Sequence, residues 1–226
     1  MDLIDNKSGE TANMDMLTLF ETLTPLPIAL SLAQCVVHKH EILICGGNKR
    51  NCFSYHTHKN QYKPICLYPD DVELFGHCVV EIPNNKNNND TNTITLLSFG
   101  GQKKHTLIMK YRSVWSNDEN GSVIKKTEKH YNEWVSFTDN ENKPISIGKA
   151  KYNYCGVRAV IDGSNNHLLF IIYPSNGIDV FDLNALQYVK YDTLPPDCGT
   201  ILFPCFISIK GDESATNNNT KKKNIK

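Results

Sequence analysis

The residues of this chain best suited to chemistry are its histidines and cysteines, and two histidine pairs stand close enough in sequence to act together. His56-x-His58 lies at the end of a strand-like run, Cys52 to His56, with Cys52 four residues before. Strand alternation puts both rings on one face, which is one way a metal pair is built. His38 and His40 flank a turn ahead of Glu41. The pattern supplies neither pair with a further ligand, so both are expected to be exposed imidazoles, and no metal, cofactor or catalytic residue is assigned. Eight cysteines are present without any C-x-x-C pair, and Cys45 with Cys52 lacks the spacing of a structural zinc site. Buried free thiols are the expectation. No Gly-x-Ser-x-Gly, P-loop or His-Glu-x-x-His pattern occurs, so no nucleophile, phosphate cradle or hydrolytic zinc site is named. The chain reads as a protein without chemistry of its own.

Binding chemistry is easier to place. Two turns are basic, Asn48-Lys49-Arg50-Asn51 and Gln102-Lys103-Lys104-His105, and a link further on carries Tyr152-Asn153-Tyr154. Arginine makes bidentate contacts with carboxylates or phosphates, and lysine supplies a movable point charge. Lys49, Arg50, Lys103, Lys104, His105, Tyr152 and Tyr154 are therefore the candidate partner-binding residues. The acidic loop Asp70-Asp71-Val72-Glu73 is close enough in the chain to offset the first basic turn.

The elements that position these residues are short strands. Cys35-Val36-Val37, Glu41 to Cys45, Cys52 to His56 and Tyr62 to Leu67 follow one another between turn residues, and none is long enough for an ordinary helix. They predict a four-stranded antiparallel meander, and its anchors recur along the chain. Cys35-Val36-Val37 returns as Cys78-Val79-Val80, Arg158-Ala159-Val160 and Cys205-Phe206-Ile207. The apolar run closed by Gly46-Gly47 returns before Gly100-Gly101, and in the third copy as Ile171-Ile172-Tyr173-Pro174. Third strands carry Tyr55, Tyr111 and Phe181, and fourth strands open at Tyr62, Trp134 and Tyr188. Tyr62 to Pro69, Tyr188 to Pro195 and Phe20 to Pro27 are each a step of seven residues, so residues 20–27 read as a lone fourth strand and 205–209 as a lone first strand.

A double glycine after an apolar run, then a Tyr, then a Tyr or Trp, resembles the kelch repeat, over roughly Phe20 to Ile209. The asparagine-rich insertions resemble those in kelch proteins of asparagine-rich protists. The resemblance implies an all-β fold: a partial kelch-type β-propeller of three four-stranded antiparallel blades, residues 34–69, 76–144 and 156–195, with one stray strand at each end. It also implies a non-enzymatic scaffold whose inter-strand loops hold a protein partner. Kelch-related propellers of the galactose-oxidase-like class are copper enzymes, the alternative in a different class, but none of their ligand residues can be placed here. A family copy without independent function is the third reading. Closed propellers have typically four to eight blades, so three imply open edges and association through them.

Totals bound the rest. The 226 residues carry 24 basic and 24 acidic side chains, a balance that predicts no attraction to nucleic acid or to an anionic membrane. The polar start, with no apolar run of membrane length, makes a cytoplasmic protein the expectation. Residues 1–16 and 211–226 read as disordered ends around a folded stretch, 17–210. Pro83 to Asn92 and Ser116 to Asn132 read as solvated insertions, both on the propeller face opposite the basic turns.

Overall fold

The computed structural model describes residues 22–83, 92–116, 131–174 and 176–195, together with 201, 203–205 and 207. The expected disordered ends, and residues 84–91 and 117–130 of the two insertions, lie outside the described residues. Among those described, the fold is all-β: three four-stranded antiparallel sheets, none of them closed. No helix among them is long and apolar enough to cross a membrane.

The first sheet is β1 (Gln34–His38), β2 (Glu41–Cys45), β3 (Asn51–His56) and β4 (Gln61–Leu67). The second is β5 (His77–Ile82), β6 (Thr93–Gly100), β7 (His105–Arg112) and the short β8 (Val135–Ser136). The third is β9 (Arg158–Asp162), β10 (Leu168–Tyr173), β11 (Gly177–Asp182) and β12 (Gln187–Thr193). In each sheet the strands lie in chain order. The first strand of the second sheet neighbours those of the other two, β1 on one side and β9 on the other.

The middle sheet is covered on both faces, which is why β6 is buried at every position from Leu96 to Gly100 instead of alternating. Leu96 and Met109 meet Leu43, Cys45, Cys52 and Trp134 in one core. Leu97 and Phe99 meet Leu169, Tyr173 and Phe181 in the other. Burying each such side chain contributes about 1.5–3 kcal/mol. The aromatic anchors of the outer sheets pair across strands, Tyr55 standing opposite Tyr62 and Phe181 opposite Tyr188, with ring centroids 4.8 and 5.1 Å apart.

Four expectations need correction. Tyr111 is not the counterpart of Tyr55: measured from Gly46 and Gly100 along the ladders, Met109 holds that place and Tyr111 lies two residues further on. A two-residue step keeps the same face, so Tyr111 is still buried. Cys35 is not the counterpart of Cys78 either. Cys78 pairs with Phe99, but the matching partner of Cys45 is Gln34, so Cys35 faces the other way and is exposed. Residues 22–27 form no strand; the lead from 22 to 33 instead spans the first sheet from one turn to another. Thr24 N–H and Oγ1–H donate to Asn60 (2.8 and 2.7 Å), and Ser31 N–H donates to Asn48 Oδ1 (2.8 Å). Cys205, Ile207 and their described neighbours form no strand, and Cys205 is exposed.

Candidate interaction face

The double glycines explain how one edge of the molecule is held. The second glycine of each pair packs on the segment entering its own sheet, the first on the segment entering the next. A side chain at Gly47 would meet Ser31 O at 2.2 Å, and one at Gly101 would meet Glu73 O at 2.8 Å. One at Gly46 would meet Leu74 at 2.5 Å, and one at Gly100 would meet Val157 at 2.5 Å. Only glycine combines this closeness with the left-handed backbone seen at all four positions. The basic turns that follow are thus fixed against the links, and they line adjoining grooves.

One groove, of about 350 Å³, is lined by Lys49, Arg50, Glu73, Gln102 and an exposed Phe75. Its neighbour, of about 420 Å³, is lined by Asp71, Lys103, Lys104, His105, Trp134 and Pro144. The anticipated offset of charge is present. Arg50 Nη1 donates to Tyr68 O (3.0 Å) and forms an ion pair with Asp70, while Lys103 pairs with Glu73. Lys104 Nζ donates to the Lys149 and Ala150 carbonyls (2.7 and 2.9 Å), so it ties the turn to the next link.

One of the candidate residues does not belong to a binding surface, and a second is only half-exposed. Tyr154 is fully buried; its hydroxyl donates to Asp179 Oδ2 (3.0 Å), and Lys149 Nζ lies 2.6 Å from Asp179 Oδ1. His105 is half-buried at the floor of the second groove, where its Nε2 meets Ser98 Oγ (2.8 Å) and its Nδ1 has no partner. Burial, with His77 nearby, pushes it down to about 3, so it is no surface cation at neutral pH. Tyr152 does remain accessible. Its ring stacks with Tyr191 at 6.3 Å, and Lys149 and Lys151 lie over rings of the same group. Phe75 and Tyr191 carry no repeat signal, which is why sequence reasoning passed over them.

At the opposite end of the first sheet Glu41 is buried, and so, contrary to expectation, is His38, because a second-sheet loop covers them. Trp115 Nε1–H donates to Ser54 Oγ (2.9 Å), Ser54 Oγ–H donates to Glu41 Oε2 (2.6 Å), and the Tyr111 hydroxyl donates to the same oxygen. A cavity of about 250 Å³ there is lined by His38, His40, Glu41, His56 and Trp115. Burial lowers the pKa of His38, with Glu41 opposing. The rings of His40 and His58 lie 4.1 Å apart and those of His40 and His56 6.3 Å apart, but no trio of His, Cys, Asp or Glu among the described residues is set to hold a metal ion.

Against known proteins, the chain matches no family model and no curated sequence.

Proposed function

We propose that this chain is a non-enzymatic protein-binding scaffold, its three sheets being successive blades of a kelch-type β-propeller. Support for the propeller is the succession β1, β5, β9 at one side and the double-glycine joint repeated between sheets. The observation that carries the binding role is a set of accessible side chains, Lys49, Phe75, Lys103 and Tyr152, presented by turns and links locked to a buried frame. Cations beside exposed aromatics suit an acidic polypeptide, with rings supplying contact area at small entropic cost. The copper-enzyme alternative has less in its favour, since Tyr55, Tyr62 and Tyr188 are used in cross-strand ring pairs and Tyr111 in a core hydrogen bond. A cytoplasmic setting accords with seven free thiols among the described cysteines.

A photo-crosslinking residue at position 75, 152 or, on the opposite end, 40 tests this reading in extract of cells that make the protein. One partner captured from 75 and 152 but not from 40, and lost with Lys49→Glu and Lys103→Glu together, is the expected result. Capture that is equal from all three positions would sink the assignment of the face.

A further inference from the structure

The core between the first two sheets contains a line of sulfur atoms that packing alone does not require. Cys45 stands directly opposite Cys52 in the β2–β3 ladder, and Cys52 directly opposite Cys66 in the β3–β4 ladder. Cys52 thus has a thiol on the neighbouring strand at either side. From the second sheet, Met109 brings its Sδ to 3.7 Å from Cys66 Sγ, and Trp134 Nε1–H donates to Cys52 Sγ at 3.4 Å. Cys45, Cys52 and Met109 are buried, and Cys66, on the edge strand β4, is partly open to solvent. Replacing Cys52 by an apolar filler would leave the indole N–H without its acceptor.

We propose that Cys52, Cys66 and Met109 form a binding site for a monovalent soft cation, Cu(I), with Cys66 as the point of entry. Two thiolates and a thioether are the donor set that selects Cu(I) over harder ions. With metal–sulfur bonds of about 2.3 Å, the sulfurs of a trigonal site stand about 4 Å apart, close to the Cys66–Met109 separation already present. Binding displaces the two thiol protons to solvent and leaves one net negative charge, which the Trp134 N–H faces from the second sheet. The site involves no tyrosine or histidine and no change of oxidation state. Its ligands come from both sheets, so the ion clips them together.

The test is anaerobic titration of the reduced full chain with Cu(I) against a colorimetric Cu(I) chelator, in a background with Cys35, Cys155, Cys198 and Cys205 all changed to Ser. One ion per chain is expected in both the parent and this background. Met109→Leu, which conserves volume, is expected to weaken binding about tenfold or more and Cys66→Ser further. X-ray absorption should count three sulfur neighbours in the parent and two in Met109→Leu. Failure of the parent to hold the ion against the chelator would overturn the site. So would loss of binding in the four-serine background, or binding and sulfur count unchanged by Met109→Leu.

Discussion

The two joints between sheets each enclose a buried apolar cluster yet neutralise their polar groups by different means. Among the described residues the buried charged group of the first joint is Glu41: two hydroxyls satisfy that carboxylate, Tyr68 stacks on Trp134 at 4.7 Å, His77 lies inside and His105 is half-buried. His77 Nδ1–H donates to Leu74 O (2.6 Å), while its Nε2 has no partner. The second joint holds one buried carboxylate, Asp179, against the Lys149 ammonium and the Tyr154 hydroxyl. The lesson is that one repeated backbone geometry tolerates two electrostatic solutions. The first should be sensitive to acid, the second to loss of a single charge.

The largest effect expected is therefore at the second joint. Asp179→Ala leaves the Lys149 ammonium without its carboxylate and should cost about 3–5 kcal/mol in urea unfolding. A cost near that of a surface change would mean that the two joints are alike after all. Next comes the glycine geometry: Gly100→Ala, with Val157 2.5 Å from the new carbon and a left-handed backbone, should cost about 2–3 kcal/mol. Pro174→Ala, at the matching turn of the third sheet, adds no new carbon, since proline already carries a Cβ, and should cost less than about 1 kcal/mol.

Acid sharpens the comparison further. Burial holds His77 down to about 4 and His105 to about 3, below the 6.5 of a free imidazole. Between those values the unfolded chain binds more protons than the folded one, so stability is complete above about pH 6.5 and declines as pH falls toward 4. About 2 kcal/mol should be lost between pH 7 and 5.5, and hydrogen exchange should open the first joint ahead of the second. A His77→Gln, His105→Gln double variant should flatten that slope. The smallest effect belongs to the surface ion pair: Lys103→Ala should cost less than about 1 kcal/mol, and its consequence should appear in partner binding instead.

Much of this frame was legible in the sequence. Strand runs and glycine pairs located the sheets within a residue or two, because strand period and turn chemistry are local properties. What escaped was non-local. Nothing in the spacing of Tyr111 revealed that β6 and β7 are longer than β2 and β3, so its register slipped by two. Cys35 and Cys78 look alike only until their ladders are compared. Tyr154 read as a surface aromatic because its partner, Asp179, lies 25 residues away on another strand. The sulfur line was invisible for the same reason: each thiol looked like an isolated core filler until three strands and the adjoining sheet set them side by side.

The forward reach of the first glycine in each pair also bears on synthesis at the ribosome. Residues 34–67 can pair as a meander as soon as they emerge, but the inner face of that sheet has no cover until Met109 and Trp134 have been made. For that interval three thiols and their apolar neighbours stand open to water and oxidants. A nascent-chain pause within residues 70–110 would prolong this exposure, whereas a pause after Trp134 would find the first joint already shut.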